Sequence, residues 1–332
     1  MGDITTRHLG LDLGATNLKR AVVEHAGGTW RQVATDQQPT LVDDGPTAIV
    51  GQMAEVAREA VARWGPIATV GIGVPGLYDP AAGTTRFIPN IAGEWMGLPV
   101  AVPIAAAVGL PVALINDARA CTLAELRLGA GRGCRSMIAL TLGTGVGGGI
   151  VIDGRLHQGH DGTAGELGHQ TLEPEGLPCT CGNLGCMEAY ARADRITGLC
   201  GTDTVEAAVE AARAGDARAA AGLAEVGRWL GVGIANAIVV LTPDRVVLGG
   251  GVSAAGDLLL GPIREQLGRR VKVTAVDEVE VVMAELGTWA GAIGAAVHGA
   301  ERAGVVPPPD RPDQTDARGP GPSGTATART SA

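Results

Sequence analysis

The order of hydrophobic and polar positions near the start of the chain predicts a β-hairpin. Residues 8–24 read HLGLDLGATNLKRAVVE. Apolar residues alternate with other residues before the Gly-Ala-Thr-Asn stretch, and β-branched residues follow it. Such alternation is typical of half-buried strands, and the small residues between them predict a turn. We therefore expect two antiparallel strands joined near Gly14.

Helical spacing of apolar residues predicts the main helices. In residues 47–64 apolar positions recur every three or four residues, and Gly65-Pro66 ends the pattern. A short buried strand is predicted at 112–115. The further segments with helical spacing are 118–128, 219–241 and 288–303. Strands that alternate with helices indicate an α/β fold.

The first hairpin recurs farther along the chain. Residues 135–153 again read as a strand, a glycine-rich turn and a second strand. Residues 11–16 match residues 140–145, and later in each half 70–76 resembles 246–251. Two matches in the same order favour a duplicated unit over chance similarity between glycine-rich hairpins. The sequence therefore predicts two similar halves.

Composition narrows the class of protein. The chain has 332 residues, of which 45% are hydrophobic, enough for one large domain or two ordinary ones. The formal charge of -9 argues against a surface for duplex nucleic acid, which needs a basic patch. We therefore expect no nucleic-acid partner, although a nucleotide needs only local groups.

The lengths of the apolar runs and the use of cysteine predict a location in the cytoplasm. We expect no membrane partner, because no apolar run reaches transmembrane length and residues 1–8 are too short and polar for a signal peptide. Six cysteines, three of them clustered, suit a reducing compartment better than a disulfide framework. Residues 307–332 are rich in Pro, Gly, Ser, Thr and Ala, which predicts a disordered tail.

A group of potential metal ligands lies between residues 166 and 188. Its members are His169, Cys179, Cys181 and Cys186. Zinc prefers imidazole and thiolate, and four protein ligands leave no position for a reacting water. The spacing therefore predicts a structural zinc, with incidental cysteines or a disulfide as the alternatives. Glu166 and Glu188 lie just outside the cluster, and metal binding could bring both to one pocket.

Groups suited to phosphate binding lie at the first turn. They are Asp12, Gly14, Thr16 and Lys19. Small residues let backbone N–H groups approach a phosphate. Asp12 could hold water around Mg²⁺, and Lys19 could neutralise phosphate charge. A plain hairpin with a glycine turn is the alternative.

Asp117 has two competing interpretations. It follows the predicted strand 112–115 and precedes the predicted helix 118–128. An acidic residue at this place either caps the helix or serves as a general base that the helix dipole keeps ionised. Asn90 is similarly open, since it either reaches a ligand or forms a turn. The glycine turn 249–251 could lie flat against a nucleotide base or ribose.

Together these motifs resemble the ROK family, whose name stands for repressor, open reading frame and kinase. The resemblance runs from about Leu9 to about Gly304. The segments that carry it are 12–19, 115–117, 142–149, 166–169 and 179–188. It implies an actin-like ATPase fold, which is ribonuclease H-like and duplicated, with ATP in a cleft between two α/β domains.

The resemblance also implies a domain division and site roles. The small domain would span 1–116 and regain the last helix, 288–303. The large domain would span 117–287 and carry the zinc loop 166–188. The first phosphate loop would use Asp12, Gly14, Thr16 and Lys19. The second would use Gly143, Thr144, Gly145 and Gly147, and the adenosine would lie beside Gly249 and Gly250. The sugar site would comprise Asn90, Asn116, Asp117, Glu166, His169 and Glu188.

A kinase mechanism then follows from phosphoryl-transfer chemistry. Asp117 would accept the proton of the 6-hydroxyl of glucose as that oxygen approaches the γ-phosphorus of ATP. Mg²⁺, Lys19 and the glycine loops would carry the charge on the phosphoryl group. His169 would use one ring nitrogen for zinc and the other for a sugar hydroxyl. Homodimers and homotetramers are common in the family.

Other functions remain open at this point. N-acetylglucosamine, N-acetylmannosamine, fructose, allose or kanosamine could replace glucose. A sugar-responsive regulator of the same family is less expected, because such regulators carry a helix-turn-helix region before the kinase-like part and the first strand here begins close to residue 1. A zinc-bearing interaction module would leave the phosphate loops and Asp117 unexplained.

Overall fold

A computed structural model describes residues 5–308 of the chain. Its strands are numbered β1–β12 and its α-helices α1–α9 in chain order. From residue 309 onward, the predicted disordered tail lies outside the described residues.

The first half of the chain forms a five-stranded sheet with a small hairpin beside it. The strands of this half are β1 (Thr6–Leu13), β2 (Asn17–Ala26), β3 (Thr29–Pro39), β4 (Thr69–Val74), β5 (Leu77–Asp79), β6 (Thr84–Phe87) and β7 (Val112–Asn116). The large sheet has the order β3-β2-β1-β4-β7. Its first three strands are antiparallel, whereas β4 and β7 run parallel to β1.

The second half repeats this topology. Its strands are β8 (Met137–Leu142), β9 (Val146–Ile152), β10 (Arg155–His157), β11 (Arg245–Gly249) and β12 (Glu280–Met283). Their order is β10-β9-β8-β11-β12, again with three antiparallel strands followed by two parallel ones. Thus β1 corresponds to β8 and β4 corresponds to β11, as the matching segments of the sequence predict. The duplication is confirmed.

Helices cover both faces of the two sheets. They are α1 (Gly45–Trp64), α2 (Ala101–Val108), α3 (Asp117–Leu128), α4 (Met187–Ala191), α5 (Ala193–Cys200), α6 (Val205–Arg213), α7 (Ala217–Leu241), α8 (Asp257–Arg270) and α9 (Ala290–Arg302). Pro46 lies at the start of α1, where its missing N–H costs no helical hydrogen bond. The four helices predicted from apolar spacing are all present, with ends shifted by one or two residues.

Helices α3 and α9 form a layer between the two sheets. Neighbouring side chains of β2 point to opposite faces of the sheet. Val22 therefore packs with α1, whereas Val23 packs with α3 and α9. The approach of α9 is close: a Cβ on Gly10 of β1 would lie 1.8 Å from the Ala292 carbonyl oxygen. The last helix therefore packs on the first sheet, and its assignment to the small domain stays a prediction. The division at residues 116 and 117 stays a prediction.

Several elements were not expected from the sequence. Strand β3, the β5–β6 hairpin and the short helices α4–α6 carry mixed polar and apolar patterns, whereas α2 is short and entirely apolar, so it shows no helical alternation. Helix α7 also differs from expectation, because by length and composition it could cross a membrane. However, 61% of its apolar window is buried inside the protein, as in the core helix of a large α/β half.

Candidate active site

The first hairpin ends in a tight turn with exposed small residues. The Gly14 N–H donates to the Asn17 carbonyl (3.1 Å), and the Thr40 hydroxyl donates to the Gly14 carbonyl (2.7 Å). Thr16 at the tip is exposed. Lys19 lies on β2 just after the turn, opposite Asp12 of β1. Its Nζ donates to the Thr288 carbonyl oxygen (3.0 Å). The turn is thereby tied to the segment that leads into α9.

Asp12 lies at the end of β1 in a space made by two glycines. A Cβ on Gly73 would lie 3.3 Å from Asp12 Oδ1, and one on Gly291 would lie 2.5 Å from Oδ2. The pKa of Asp12 is raised from 3.8 to about 7, mainly by burial and in addition by the charge of Asp117, whereas the charge of Lys19 opposes the shift. The ionised form of Asp12 is therefore unfavourable here, and a bound cation would stabilise it.

Asp117 opens α3, but it is not the N-cap. That residue is Asn116, whose side-chain oxygen accepts hydrogen bonds from the backbone N–H groups of Ala118 (3.1 Å) and Arg119 (3.2 Å). The capping interpretation of Asp117 is therefore wrong, because the cap falls one residue earlier. Asn116 Nδ2 donates to Asp117 Oδ1 (2.9 Å) and to the Gly76 carbonyl (3.2 Å). Its hydrogen-bonding groups are thus all used in holding Asp117 and the turn.

The carboxylate of Asp117 has one occupied and one available oxygen. The Ala118 N–H donates to Oδ1 (2.8 Å), as does Asn116. No described residue donates to Oδ2. Burial raises the pKa of Asp117 and the Glu166 charge adds to this, whereas the Ala118 N–H and the Arg119 charge lower it. A carboxylate with a free oxygen and a raised pKa is suited to accept a proton.

The second hairpin places its glycines against the helix that carries Asp117. The turn is closed by the Gly143 N–H, which donates to the Gly145 carbonyl (2.9 Å). A Cβ on Gly147 would lie 2.7 Å from the Ala118 Cβ, so the hairpin directly contacts the first turn of α3. Thr144 lies between these glycines at the tip, where the side chain is exposed.

The predicted adenosine turn follows β11 and packs beside the second hairpin. Gly250 has φ of +85°, and a Cβ there would lie 2.2 Å from the Leu142 carbonyl oxygen. Only glycine fits this approach without moving the backbone. Gly249 ends β11, one residue earlier. Gly249 and Gly250 therefore adjoin the second hairpin, the predicted second phosphate loop.

Three cysteines and one histidine converge as the spacing predicts. One ligand atom each from His169, Cys179, Cys181 and Cys186 lies within 4.8 Å of all the others. Cys179 Sγ is 3.7 Å from His169 Nδ1, and Cys181 Sγ is 3.7 Å from Cys186 Sγ. A tetrahedral zinc with bonds of about 2.3 Å to sulfur separates its ligands by roughly 3.8 Å. The donor types and spacings fit that ion, and no disulfide is present among the described cysteines.

Glu166 lies beside this cluster, three residues before His169, and the two side chains form one wall. His169 directs Nδ1 toward Cys179, and its Nε2 is 3.9 Å from Glu166 Oε2. The other carboxylate oxygen of Glu166 accepts a hydrogen bond from Arg119 (2.9 Å). A Cβ on Gly168 would lie 1.9 Å from the Val146 carbonyl oxygen, so this wall packs tightly on the second hairpin.

Glu188 connects the cysteine cluster to the second hairpin. The Val146 N–H donates to Oε2 (2.8 Å), and the Thr180 hydroxyl donates to Oε1 (3.1 Å). The Cys179 thiol also lies 3.5 Å from Oε1. Glu188 is buried, and in this arrangement its carboxylate supports the turn of the second hairpin.

Asn90 is the predicted site residue with the least contact to the others. It is exposed in the turn after β6, between buried Ile88 and Ile91. Its turn is nevertheless linked to the site, since a Cβ on Gly76 would lie 2.3 Å from the Phe87 carbonyl oxygen. The predicted contact between Asn90 and a ligand stays a prediction.

Sequence reasoning overlooked Arg119 and Thr180. Arg119 carries a signal that could have revealed it, because a basic side chain in the first turn of a helix is disfavoured by the helix dipole and needs an acidic partner. Thr180 gave no comparable signal, since a threonine between two cysteines is ordinary in a metal-binding turn.

Comparison with known proteins agrees with this geometry. The model of the ROK family matches residues 8–300. A glucokinase of Thermotoga maritima is 38% identical over 315 residues, which cover 89% of this chain and 98% of that protein. The structure of a ROK hexokinase from Thermus thermophilus superposes with a TM-score of 0.77 at 33% identity, covering 91% of this chain and 100% of that one.

A further solved structure carries ligands in its description. It is a ROK family glucokinase from Streptomyces griseus in complex with glucose and AMPPNP, with a TM-score of 0.73, 34% identity, and coverage of 89% of this chain and 99% of that one. The similarity to these ROK kinases confirms the predicted actin-like ATPase fold. The chain therefore belongs to the ROK family.

Proposed function

We propose that the protein transfers the γ-phosphoryl group of ATP to the 6-hydroxyl of glucose. The observation that carries this proposal is the free Oδ2 of Asp117, which lies at the start of α3 where that helix contacts the second glycine hairpin. The glucokinases that resemble the chain over nearly their whole length support ATP and a hexose as the substrates.

Asp117 acts as the general base in this mechanism. Its Oδ2 takes the proton of the sugar hydroxyl while that oxygen attacks the γ-phosphorus and the bond to the β-phosphate oxygen breaks. Burial raises the pKa of Asp117, which increases its affinity for the proton. Asn116 holds the other oxygen and so fixes the direction of the free one.

The two hairpins bind the phosphates of ATP. Backbone N–H groups around Gly14 and Thr16 and around Gly143–Gly147 stabilise charge that spreads over the phosphoryl oxygens. Lys19 adds a positive charge from the first hairpin. A bound Mg²⁺ would neutralise phosphate charge, and Asp12 would hold it, directly or through water. The glycines at 249 and 250 leave room for the adenosine.

The sugar lies against Glu166, His169 and Glu188. Carboxylates and an imidazole suit the hydroxyl groups of a hexose as hydrogen-bonding partners. The cluster of His169 and three cysteines holds a structural zinc that fixes the position of this wall. Support for the metal comes from the donor set and the 3.7 Å spacings. Zinc in such a closed site contributes folding energy rather than a reacting water.

A coupled ADP-release assay tests the substrate. We expect the highest kcat/KM with glucose among glucose, mannose, fructose, N-acetylglucosamine, N-acetylmannosamine, allose and kanosamine. A clear preference for an aminosugar would reassign the sugar but keep the kinase. No ADP release with any of the sugars would contradict the kinase itself.

We further propose a cytoplasmic enzyme that forms a homodimer or homotetramer. Clustered free cysteines suit a reducing compartment. The oligomeric state rests on the family resemblance, and light scattering of the purified protein measures it. A monomer at micromolar concentration would contradict this part of the proposal.

A further inference from the structure

We propose that Arg119 is a positioning residue that holds Glu166 in place for sugar binding. The proposal rests on the sugar kinase function above. The side chain of Arg119 binds the Ala164 carbonyl and Glu166, and it acts through the Glu166 carboxylate.

The contacts of Arg119 are those of a fixed buried cation. Its side chain is only 2% exposed, whereas that of Glu166 is 42% exposed. Arg119 Nε donates to the Ala164 carbonyl (2.8 Å), and an Nη donates to Glu166 Oε1 (2.9 Å). The guanidinium therefore anchors both the backbone before Glu166 and its carboxylate. Glu166 Oε2 remains on the accessible side, near His169.

Helix geometry gives a second reason to assign a function to this side chain. Arg119 lies in the first turn of α3, where the helix dipole disfavours a positive charge. A buried arginine is also costly unless its N–H groups are paired. The position is therefore unfavourable for folding by itself, and the ion pair with Glu166 is what compensates for it.

Arg119 links Glu166, which lies on the proposed sugar-binding wall, to the carboxylate of Asp117. Its backbone N–H donates to Asn116 Oδ1 (3.2 Å), and Asn116 Nδ2 in turn donates to Asp117 Oδ1 (2.9 Å). Its side chain reaches Glu166. One residue thus sets the relative positions of the base and of a carboxylate that binds the sugar. Loss of the side chain should release Glu166 and leave the backbone bonds near Asp117 in place.

The chain offers a matched control on the same helix. Arg127 of α3 is 11% exposed in its side chain, and it likewise binds one carboxylate and one carbonyl. Its Nε donates to Glu301 Oε1 (2.9 Å), and an Nη donates to the Gly154 carbonyl (3.0 Å). These partners lie at the opposite end of the helix from Asp117.

The test compares Arg119→Gln, Arg119→Lys, Glu166→Gln, the double variant Arg119→Gln/Glu166→Gln and Arg127→Gln in the coupled assay with glucose and ATP. We expect Arg119→Gln to raise the KM for glucose by roughly 10–100-fold, the size of a lost hydrogen bond to a charged group. The KM for ATP should change less than about 3-fold, and Arg119→Lys should restore part of the glucose affinity.

The double variant decides whether Arg119 acts through Glu166. If it does, the double variant should bind glucose no more than about 3-fold worse than Glu166→Gln alone. If the increases in the KM for glucose from the two single variants multiply in the double variant, the proposal is overturned. So would an unchanged KM for glucose in Arg119→Gln together with a loss of melting temperature like that of Arg127→Gln.

Two further results keep the test decisive. If Arg119→Gln does not fold, Arg119→Lys takes its place, and an unchanged KM for glucose in that variant overturns the proposal. If the wild-type protein turns over no sugar, the proposed function fails together with this inference. If the wild-type protein phosphorylates glucose and the folded Arg119 variants keep the wild-type KM for glucose, this inference fails and the proposed function stands.

Discussion

The two hairpins of the proposed phosphate site share a topology but differ in the groups that hold them in place. In the first, β1–β2, the charged groups belong to the hairpin itself, as Asp12 and Lys19. In the second, β8–β9, residues 142–147 carry no ionisable side chain. Its carboxylate is Glu188, which comes from α4 and accepts the Val146 N–H at 2.8 Å.

The difference shows that a duplicated fold need not duplicate its chemistry. The first hairpin is fixed by the segment that leads into α9, through the hydrogen bond from Lys19 to the Thr288 carbonyl. The second is fixed from the cysteine cluster, since Glu188 also lies beside Cys179 and Thr180. Changes in the cysteine cluster should therefore reach the second hairpin and leave the first unaffected.

The largest effect is expected from Asp117→Asn, because Asp117 is the proposed general base and belongs to neither hairpin. Asparagine keeps an oxygen for the Ala118 and Asn116 donors but cannot take up a proton. We expect kcat to fall by about 10²–10⁴-fold or more, with little change in melting temperature. Steady-state kinetics and thermal unfolding of the same preparation measure both.

Two outcomes would contradict this assignment of Asp117. A change confined to the KM for the sugar would mean that Asp117 only positions its substrate. A large loss of melting temperature would mean that the carboxylate is structural. Because the N-cap is Asn116, helix capping no longer offers an explanation for such a loss.

Loss of the proposed zinc should have the next largest effect. In Cys181→Ser a hydroxyl replaces a thiolate, so we expect zinc to be lost and the KM for glucose to rise at least about 10-fold. Cys134→Ser is the control, because Cys134 lies outside the cluster. Elemental analysis and kinetics provide the measurements. Wild-type protein purified without chelator that contains no zinc would refute the site.

The cluster illustrates how much of the site could be predicted from the sequence. Its four ligands lie close together in the chain, so their spacing predicts their convergence. The duplicated sheets were also predictable, because the glycine hairpins keep a recognisable pattern. Arg119 and Glu166 are 47 positions apart, and the link of Glu188 to Val146 spans 42. Contacts of that kind depend on tertiary packing, which no local pattern encodes.

Asp12 should give the first hairpin a pH dependence that the second lacks. Its pKa is about 7 in the folded protein and ordinarily 3.8, so the folded state binds a proton that the unfolded chain releases. The resulting stability is complete below about pH 4 and is lost as pH rises through 7. Asp12→Asn stays neutral over this range. The free energy of unfolding of the variant minus that of wild type should therefore increase by on the order of 1–3 kcal/mol between pH 5 and 8.

Asp79→Asn is the matched control for this pH dependence. Hydrogen bonds from Ala82 and Arg86 lower the pKa of Asp79 to about 2, so its titration is complete below pH 5. The difference between that variant and wild type should stay constant from pH 5 to 8. A flat profile for Asp12→Asn over the same range would contradict the raised pKa.

The smallest effect is expected at the second turn, where two glycines differ in their surroundings. A Cβ on Gly145 would lie 2.5 Å from Glu188 Oε2, whereas one on Gly143 would meet no atom within 4 Å. Gly145→Ala should therefore destabilise the protein by about 1–2 kcal/mol more than Gly143→Ala does. Denaturant unfolding of both variants tests this, and equal losses would show that Glu188 moves aside freely.

The central claim is that the cysteine cluster organises the second hairpin but not the first. Amide hydrogen exchange of the zinc-loaded and chelator-treated protein tests it most directly, since Val146 donates to Glu188 and Gly14 donates to Asn17. We expect exchange at residues 143–147 to accelerate at least about tenfold on metal removal, while residues 13–17 keep their rates. Equal acceleration of both turns, or unchanged rates at 143–147, would contradict the claim.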